Sequence, residues 1–465
     1  MKPAAVGLGV GAAVGGAVAW ASRGPTLVAW PEPVRTAFPF VLGGIAGLTA
    51  GVKVGTTLSL LKAASGRGQG PITTVTPVLV GAGVAGAVGL AGRLAAQRVI
   101  GSLVAQGRDL DQPYNDSPKD ADVSGSAASA VTVTELGREG ARFVNYVTAP
   151  DAIREVMGEE PVASPVRVFV GADAATTPEQ RVGLAMAELR RTGAFERANL
   201  IIQAPAGTGY ANSFPVDVLE VLTRGDSAAV AVGYGLLPSF LSLNKVQAGA
   251  HTQRLLLDAI REELSTRAHA PRILLYGESL GAEVQQTAIP SGPIDLDRYS
   301  VAAALWVGTP GGERSDVFHA LCAGESYTVD RPEQLPEPVP APRPRVWFLE
   351  HDGDPVVRFR PALLAHRPAW LPTDGQRGRN VPEQMTWKPG ITFAQAFVDT
   401  MFATHVRPGQ FESLGHDYRA DLGAVTTMAF DLPRDAATAE RLEAYLRRVE
   451  VERAQRLGEV ARAAG

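Results

Sequence analysis

From residue 166 onward the chain repeats one pattern: a short, nearly continuous apolar run closed by turn residues, then a stretch with apolar side chains every third or fourth position. The runs are 166–170, 200–203, 229–232, 273–276, 302–307 and 346–349, and the clearest helical stretches between them are 178–192, 246–267 and 280–288. Strands apolar on both faces must be covered on both faces, so the pattern predicts an α/β fold, a mostly parallel sheet with helices on either side. In such sheets ligands and chemistry gather beyond the carboxyl ends of the strands. Those strand ends are therefore where functional residues are sought.

The run 273–276 leads into Gly277-Glu278-Ser279-Leu280-Gly281 and then a helical stretch. A serine hydroxyl is a weak nucleophile unless it is exposed, held beside a base and faced by donors for the oxyanion. A sharp strand-to-helix turn exposes the serine, and glycines two before and two after it relieve the crowding of that turn. Ser279 is the predicted nucleophile, with the backbone N–H of Leu280 as one oxyanion donor. The second donor is expected in the loop after 200–203, Ala204-Pro205-Ala206-Gly207-Thr208-Gly209. Pro205 has no N–H, so Ala206 is the first choice, with Gly207 and Thr208 as alternatives.

In this kind of fold the acid and the histidine follow the serine along the chain. The run 346–349 is followed by Glu350-His351-Asp352-Gly353-Asp354-Pro355. Asp354 lies further along the loop and is the predicted acid, with Asp352 as the competitor; Asp-Gly is also a favoured turn pair. His416, in Leu414-Gly415-His416-Asp417-Tyr418 just ahead of a helical stretch, is a candidate base, with His405 and His351 as alternatives.

The first hundred residues are different in kind. They carry almost no Asp or Glu and contain three glycine-rich apolar stretches, 4–20, 37–61 and 72–92, which is why the mean hydropathy of the whole chain is near zero at +0.03. At 1.5 Å per residue each approaches or exceeds the length needed to cross a hydrocarbon core. Gly43, Gly47, Gly51 and Gly55 recur at every fourth position and give one such helix a smooth face for close packing in lipid. A transmembrane anchor over 1–105, a polar linker over 106–135 and a catalytic domain over 136–465 are expected. The distribution of Lys and Arg around the three stretches favours a multi-pass topology with the C-terminal domain on the cytoplasmic side.

These strings together resemble a bacterial family of membrane-anchored α/β-hydrolases with a multi-span N-terminal region and a serine-hydrolase domain. The resemblance runs through Gly137-Arg138-Glu139-Gly140, Arg191-Thr192-Gly193-Ala194-Phe195 and Leu237-Pro238-Ser239-Phe240-Leu241-Ser242-Leu243. It continues through Gly277-Glu278-Ser279-Leu280-Gly281, Leu305-Trp306-Val307-Gly308, Asp354-Pro355-Val356-Val357, Arg367-Pro368-Ala369-Trp370-Leu371 and Gly415-His416-Asp417-Tyr418. It implies an α/β-hydrolase fold and a Ser279, Asp354, His416 triad, and it names no substrate. Arg358-Phe359-Arg360 departs from the aromatics expected after Val357.

Charge and composition remove other classes. A net charge of −4 without a basic stripe argues against nucleic acid. One cysteine, Cys322, forbids an intramolecular disulfide and a cysteine zinc site, and no His pair has metal-ligand spacing, so neither metal nor cofactor is expected. The expected activity is a membrane-bound serine hydrolase acting on an ester or related acyl bond, with a small-molecule or lipid acyl substrate. The alternatives are an acyltransferase on the same triad and a non-catalytic membrane sensor or scaffold. Three further segments carry expectations: the proline-rich 332–344 as a stiff surface loop, 361–404 as a lid or acyl-binding wall, and 436–463 as a last helix on the sheet.

Overall fold

In the computed structural model of the protein, the described residues are 105–236, 245–374, 377–403, 411 and 414–458. Seven strands, β1 (Val166–Val170), β2 (Asn199–Ala204), β3 (Ser227–Val232), β4 (Arg272–Glu278), β5 (Val301–Val307), β6 (Ser326–Val329) and β7 (Val346–Leu349), form one sheet. Their order is β1-β3-β2-β4-β5-β7-β6, and every neighbouring pair is parallel. The first five and the last match the expected apolar runs. All residues of β1, β2, β3 and β7 are buried, as strands covered on both faces must be. The unexpected strand β6 is a short edge strand, half-exposed over Ser326 and Tyr327.

The helices are α1 (Val133–Asn145, kinked at Gly137), α2 (Pro150–Met157), α3 (Pro178–Arg191), α4 (Phe214–Leu222), α5 (Val246–Ser265), α6 (Leu280–Ala288), α7 (Pro293–Arg298), α8 (Glu313–Cys322), α9 (Pro355–Arg358), α10 (Ile391–Phe402), α11 (Arg419–Ala429) and α12 (Ala436–Arg456). Each of α1 and α3 starts with a capping box, in which Thr132 or Thr177 accepts from the backbone N–H three residues on and Glu135 or Gln180 accepts back. The expected last helix forms as α12, and its Leu442, Tyr445 and Leu446 join the main core.

Register decides where the site sits. Glu278 pairs with Val307, and Val307 with Leu349, so β4, β5 and β7 end flush at their carboxyl edge. The residues that follow, Ser279, Gly308 and Glu350, therefore leave the sheet side by side.

One expectation changes. Within the expected polar linker 106–135, the polar segment 106–130 is not a free linker: Tyr114 and Val123 are buried, and Val123 bridges to Arg167 of β1. The buried carboxylate of Glu188 on α3 gathers this segment by accepting from Ser124 Oγ, Ser129 Oγ and the Ala130 N–H. The polar residues are thus used as donors to one buried charge. Beside them, the fully buried Arg167 donates to Glu220, Asp217, Ser213 Oγ and the Phe143 carbonyl, and Arg453 on α12 donates to Asp217. Buried charges persist when paired and hydrogen-bonded in this way, and the network ties β1 to α4 and α12.

The chain divides into two compact units, and the larger, 103–360 with 378–380 and 403–465, contains the sheet. The described part of the other is 361–374, 377 and 381–402. It has a small core of Leu371, Val381 and Met385 with Trp370 and Trp387, and Trp387 Nε1 donates to the Leu363 carbonyl at 3.1 Å. The three expected membrane spans lie outside the described residues, as do 237–243 and His405. Among the described residues no helix is long and apolar enough to cross a membrane.

Candidate active site

Ser279 occupies the turn between β4 and α6 with φ 54° and ψ −128°. A non-glycine residue at positive φ costs about 1–3 kcal/mol and persists where its surroundings over-determine it. Here they do. The Ser279 N–H donates to the Val307 carbonyl at 2.9 Å, while its own carbonyl accepts from Ala282 and Glu283 in the first turn of α6. The flanking glycines are sterically required: a Cβ on Gly281 would lie 2.2 Å from the Ala204 carbonyl oxygen, and one on Gly277 would lie 2.8 Å from the Ala282 backbone. Ser279 is half-buried, and Leu280, the first residue of α6, carries one of the N–H groups that a helix N-terminus leaves unpaired.

Asp354 and His416, 62 residues apart in sequence, are brought together at 2.6 Å, Oδ2 to Nδ1. Both are buried. The β7 end carries Asp354 as the N-cap of α9, where its Oδ1 accepts from the Val356 N–H at 2.8 Å. Tyr418 Oη donates to Asp354 Oδ2 at 2.6 Å and accepts from the His351 N–H at 3.1 Å. The carboxylate is thus fixed by a backbone donor, a phenol and the imidazole. His416 Nε2, by contrast, is buried with no hydrogen-bond partner among the described residues. The ring lies against Gly308, where a Cβ would come within 2.6 Å of His416 Cε1. Gly308 follows Val307, the residue whose carbonyl holds the Ser279 N–H, so His416 and the serine turn both lie against the β5 end.

Burial alone would lower the pKa of His416, but the Asp354 carboxylate outweighs it, through charge and hydrogen bond, and the net shift is upward. The charge of Glu278 adds to it. Tyr418 is pushed well above the usual phenol range, first by burial and then by Asp354, so it stays a donor.

The competing residues are otherwise engaged. Asp352 pairs with Arg358 at 2.5 Å. Arg360 pairs with Asp316 at 2.9 Å, which gives the two arginines after Val357 structural partners. His351 is fully buried, with Nε2 2.7 Å from Asp421 Oδ2 and Nδ1 3.3 Å from the Gly415 carbonyl oxygen, and its ring stacks on Tyr418. Asp421 is held below the usual carboxylate range: burial opposes this, and His351 and Arg379 overcome it. His351 thus braces the loop that bears His416 from both sides. The expected donor Ala206 is corrected by a hairpin: its N–H donates to the Tyr210 carbonyl at 2.8 Å, and its carbonyl accepts from Gly209 at 2.9 Å. The N–H groups of Gly207 and Thr208 at the tip of that hairpin carry no such bond.

Of the expected residues Ser279, Asp354 and His416, the structure joins Asp354 to His416 by a hydrogen bond, and it adds Tyr418, His351, Asp421 and Gly308 around them, whose supporting roles sequence reasoning did not single out. Tyr418 was quoted beside His416 without a role. Its signal is weak, because what it touches lies 64 residues away.

A parallel sheet with a strained serine between strand and helix, an Asp after a later strand and a His in a loop further along the chain is the arrangement of the hydrolase class of α/β folds. A family model described as an alpha/beta-hydrolase family matches residues 166–337 and 324–444, more than half of the 465-residue chain, and the chain belongs to that family. No curated protein and no solved structure matches it.

Proposed function

We propose that the protein is a membrane-bound serine hydrolase that cleaves an ester or related acyl bond through an acyl-enzyme on Ser279. The observation that carries the proposal is the buried His416, clamped to Asp354 through Nδ1 and left with an unpartnered Nε2 beside the strained Ser279 turn. Nε2 takes the Ser279 proton as Oγ attacks the carbonyl, Asp354 orients and stabilises the imidazolium, and the same proton then passes to the leaving oxygen. Water, deprotonated by His416, releases the acyl group. The Leu280 N–H supports the oxyanion, and the second donor moves from Ala206 to Gly207 or Thr208.

A fluorophosphonate probe is expected to label the full-length protein at Ser279, and Ser279→Ala is expected to abolish both labelling and esterase turnover on an acyl-ester panel. Absence of labelling in folded protein, or full turnover in Ser279→Ala, overturns the mechanism. Product analysis with a competing alcohol shows whether water or alcohol takes the acyl group.

A further inference from the structure

Glu278 is the last residue of β4, immediately before the proposed nucleophile, and the proposed triad does not use it. Its Oε2 is anchored by two neutral donors, Asn212 Nδ2 at 2.6 Å and Tyr276 Oη at 2.8 Å. Tyr276 shares its face of the strand, two residues back, and Asn212 comes from the loop after β2. Its Oε1 has neither a hydrogen-bond donor nor a cation beside it among the described residues. The side chain is half-buried, as is Ser279 next to it.

That arrangement is unusual for a charge the protein keeps for its own stability. A carboxylate partly removed from water is expensive unless a cation or several donors compensate it. Several other partly or fully buried carboxylates of this unit are compensated by cations: Asp217 and Glu220 by Arg167, Asp417 by Arg419, Asp421 by Arg379. Glu278 instead has one oxygen pinned by neutral donors and the other without a partner among the described residues, one residue before the proposed nucleophile. Its field reaches the base, since it contributes to the raised pKa of His416. The missing counter-charge is therefore one that a substrate can bring.

We propose that Glu278 is a cation-recognition group of the acyl site, and that the preferred substrate carries an ammonium or guanidinium within a few bonds of the scissile carbonyl. This rests on the Ser279 hydrolase reading and names the substrate class for that site. The Asn212 and Tyr276 hydrogen bonds fix the carboxylate before substrate arrives, so little ordering cost falls on binding. The charge pair forms in the half-buried setting, where it is screened less than on an open surface.

The test uses two pairs of isosteric esters on the full-length protein. One pair places the charge in the leaving group, a choline ester against the ester in which carbon replaces its nitrogen. The other places it in the acyl group, a lysine ester against the norleucine ester. The cationic member of one pair is expected to be favoured in kcat/KM by on the order of tenfold at low salt, with the preference shrinking as salt is added. In Glu278→Gln the ratio is expected to fall toward unity, and in Glu278→Lys to invert. Using ratios cancels any loss common to both esters, and the salt dependence of the unaltered protein stands even where a variant fails to fold. No preference in either pair overturns the proposal. So does a Glu278→Gln protein that slows both members equally and only moves the pH profile, which would confine Glu278 to supporting His416. An active Ser279→Ala protein would instead sink the hydrolase reading beneath it.

Discussion

At the residue scale the most consequential contact outside the proposed triad is Tyr418 on Asp354. The Asp354 Oδ2 that orients His416 also accepts from Tyr418 Oη at 2.6 Å, so the phenol disperses the charge that pulls on the imidazole. Tyr418→Phe removes a hydrogen bond to a charged group, an interaction of about 1.5–3 kcal/mol, and is expected to lower kcat/KM by about tenfold. Its pH profile carries the sign. With His416 raised above the ordinary histidine value, activity climbs as pH rises through that value and the base becomes neutral. With Tyr418 gone, Asp354 is less stabilised as an anion and holds the His416 proton harder, so the acid limb is expected to shift to higher pH. An unmoved limb would reduce Tyr418 to a packing residue. Ser279 was legible because the information is local, five consecutive residues that make one turn. Asp354 was legible from its place after an apolar run. The role of Tyr418 was not, since it exists only when the ends of β7 and the loop before α11 meet. Ala206 failed for the same reason in reverse. The sequence shows where a donor loop lies but not that the Tyr210 carbonyl folds back to take its N–H.

At the scale of elements, the serine turn depends on two close backbone approaches. The Ala204 carbonyl at the end of β2 lies where a Cβ on Gly281 would be, so the β4-to-α6 turn is seated directly on its neighbouring strand. Gly281→Ala forces backbone against backbone, with no flexible side chain to give way. A displacement of about 1 Å at reacting groups can cost on the order of a hundredfold in rate, and a loss of that size in fluorophosphonate labelling of Ser279 is expected. Labelling at the unaltered rate in a folded Gly281→Ala protein would show that the turn is not so seated. Periodicity found the strands because burial on both faces leaves unbroken apolar runs. The same burial hid α4, whose nine residues are all buried, so that no polar face marks it as a helix. Residues 106–130 misled for a related reason, since their polar side chains are spent on Glu188 and not on water.

At the scale of the whole molecule, the question is what an apolar first hundred residues adds to a unit that already has a complete core. The sheet, its helices and the Asp354–His416 pair all lie beyond residue 105, and no described helix is long and apolar enough to cross a membrane. The stretches expected to enter a bilayer are 4–20, 37–61 and 72–92, which lie outside the described residues. The chemistry of those stretches permits it: glycine, alanine, valine and leucine with almost no acid, and lengths near the roughly 20 residues that span a hydrocarbon core. Surface attraction to anionic lipid is a poor alternative, because the chain carries a net charge of −4 and salt would release it. The full-length protein is accordingly expected to sediment with membranes, to stay there through a high-salt wash and an alkaline carbonate wash, and to enter the supernatant in mild detergent. Release by salt would turn the anchor into a peripheral contact. Recovery in the supernatant without detergent would remove the membrane from the proposed function and leave Ser279 facing a water-borne acyl substrate.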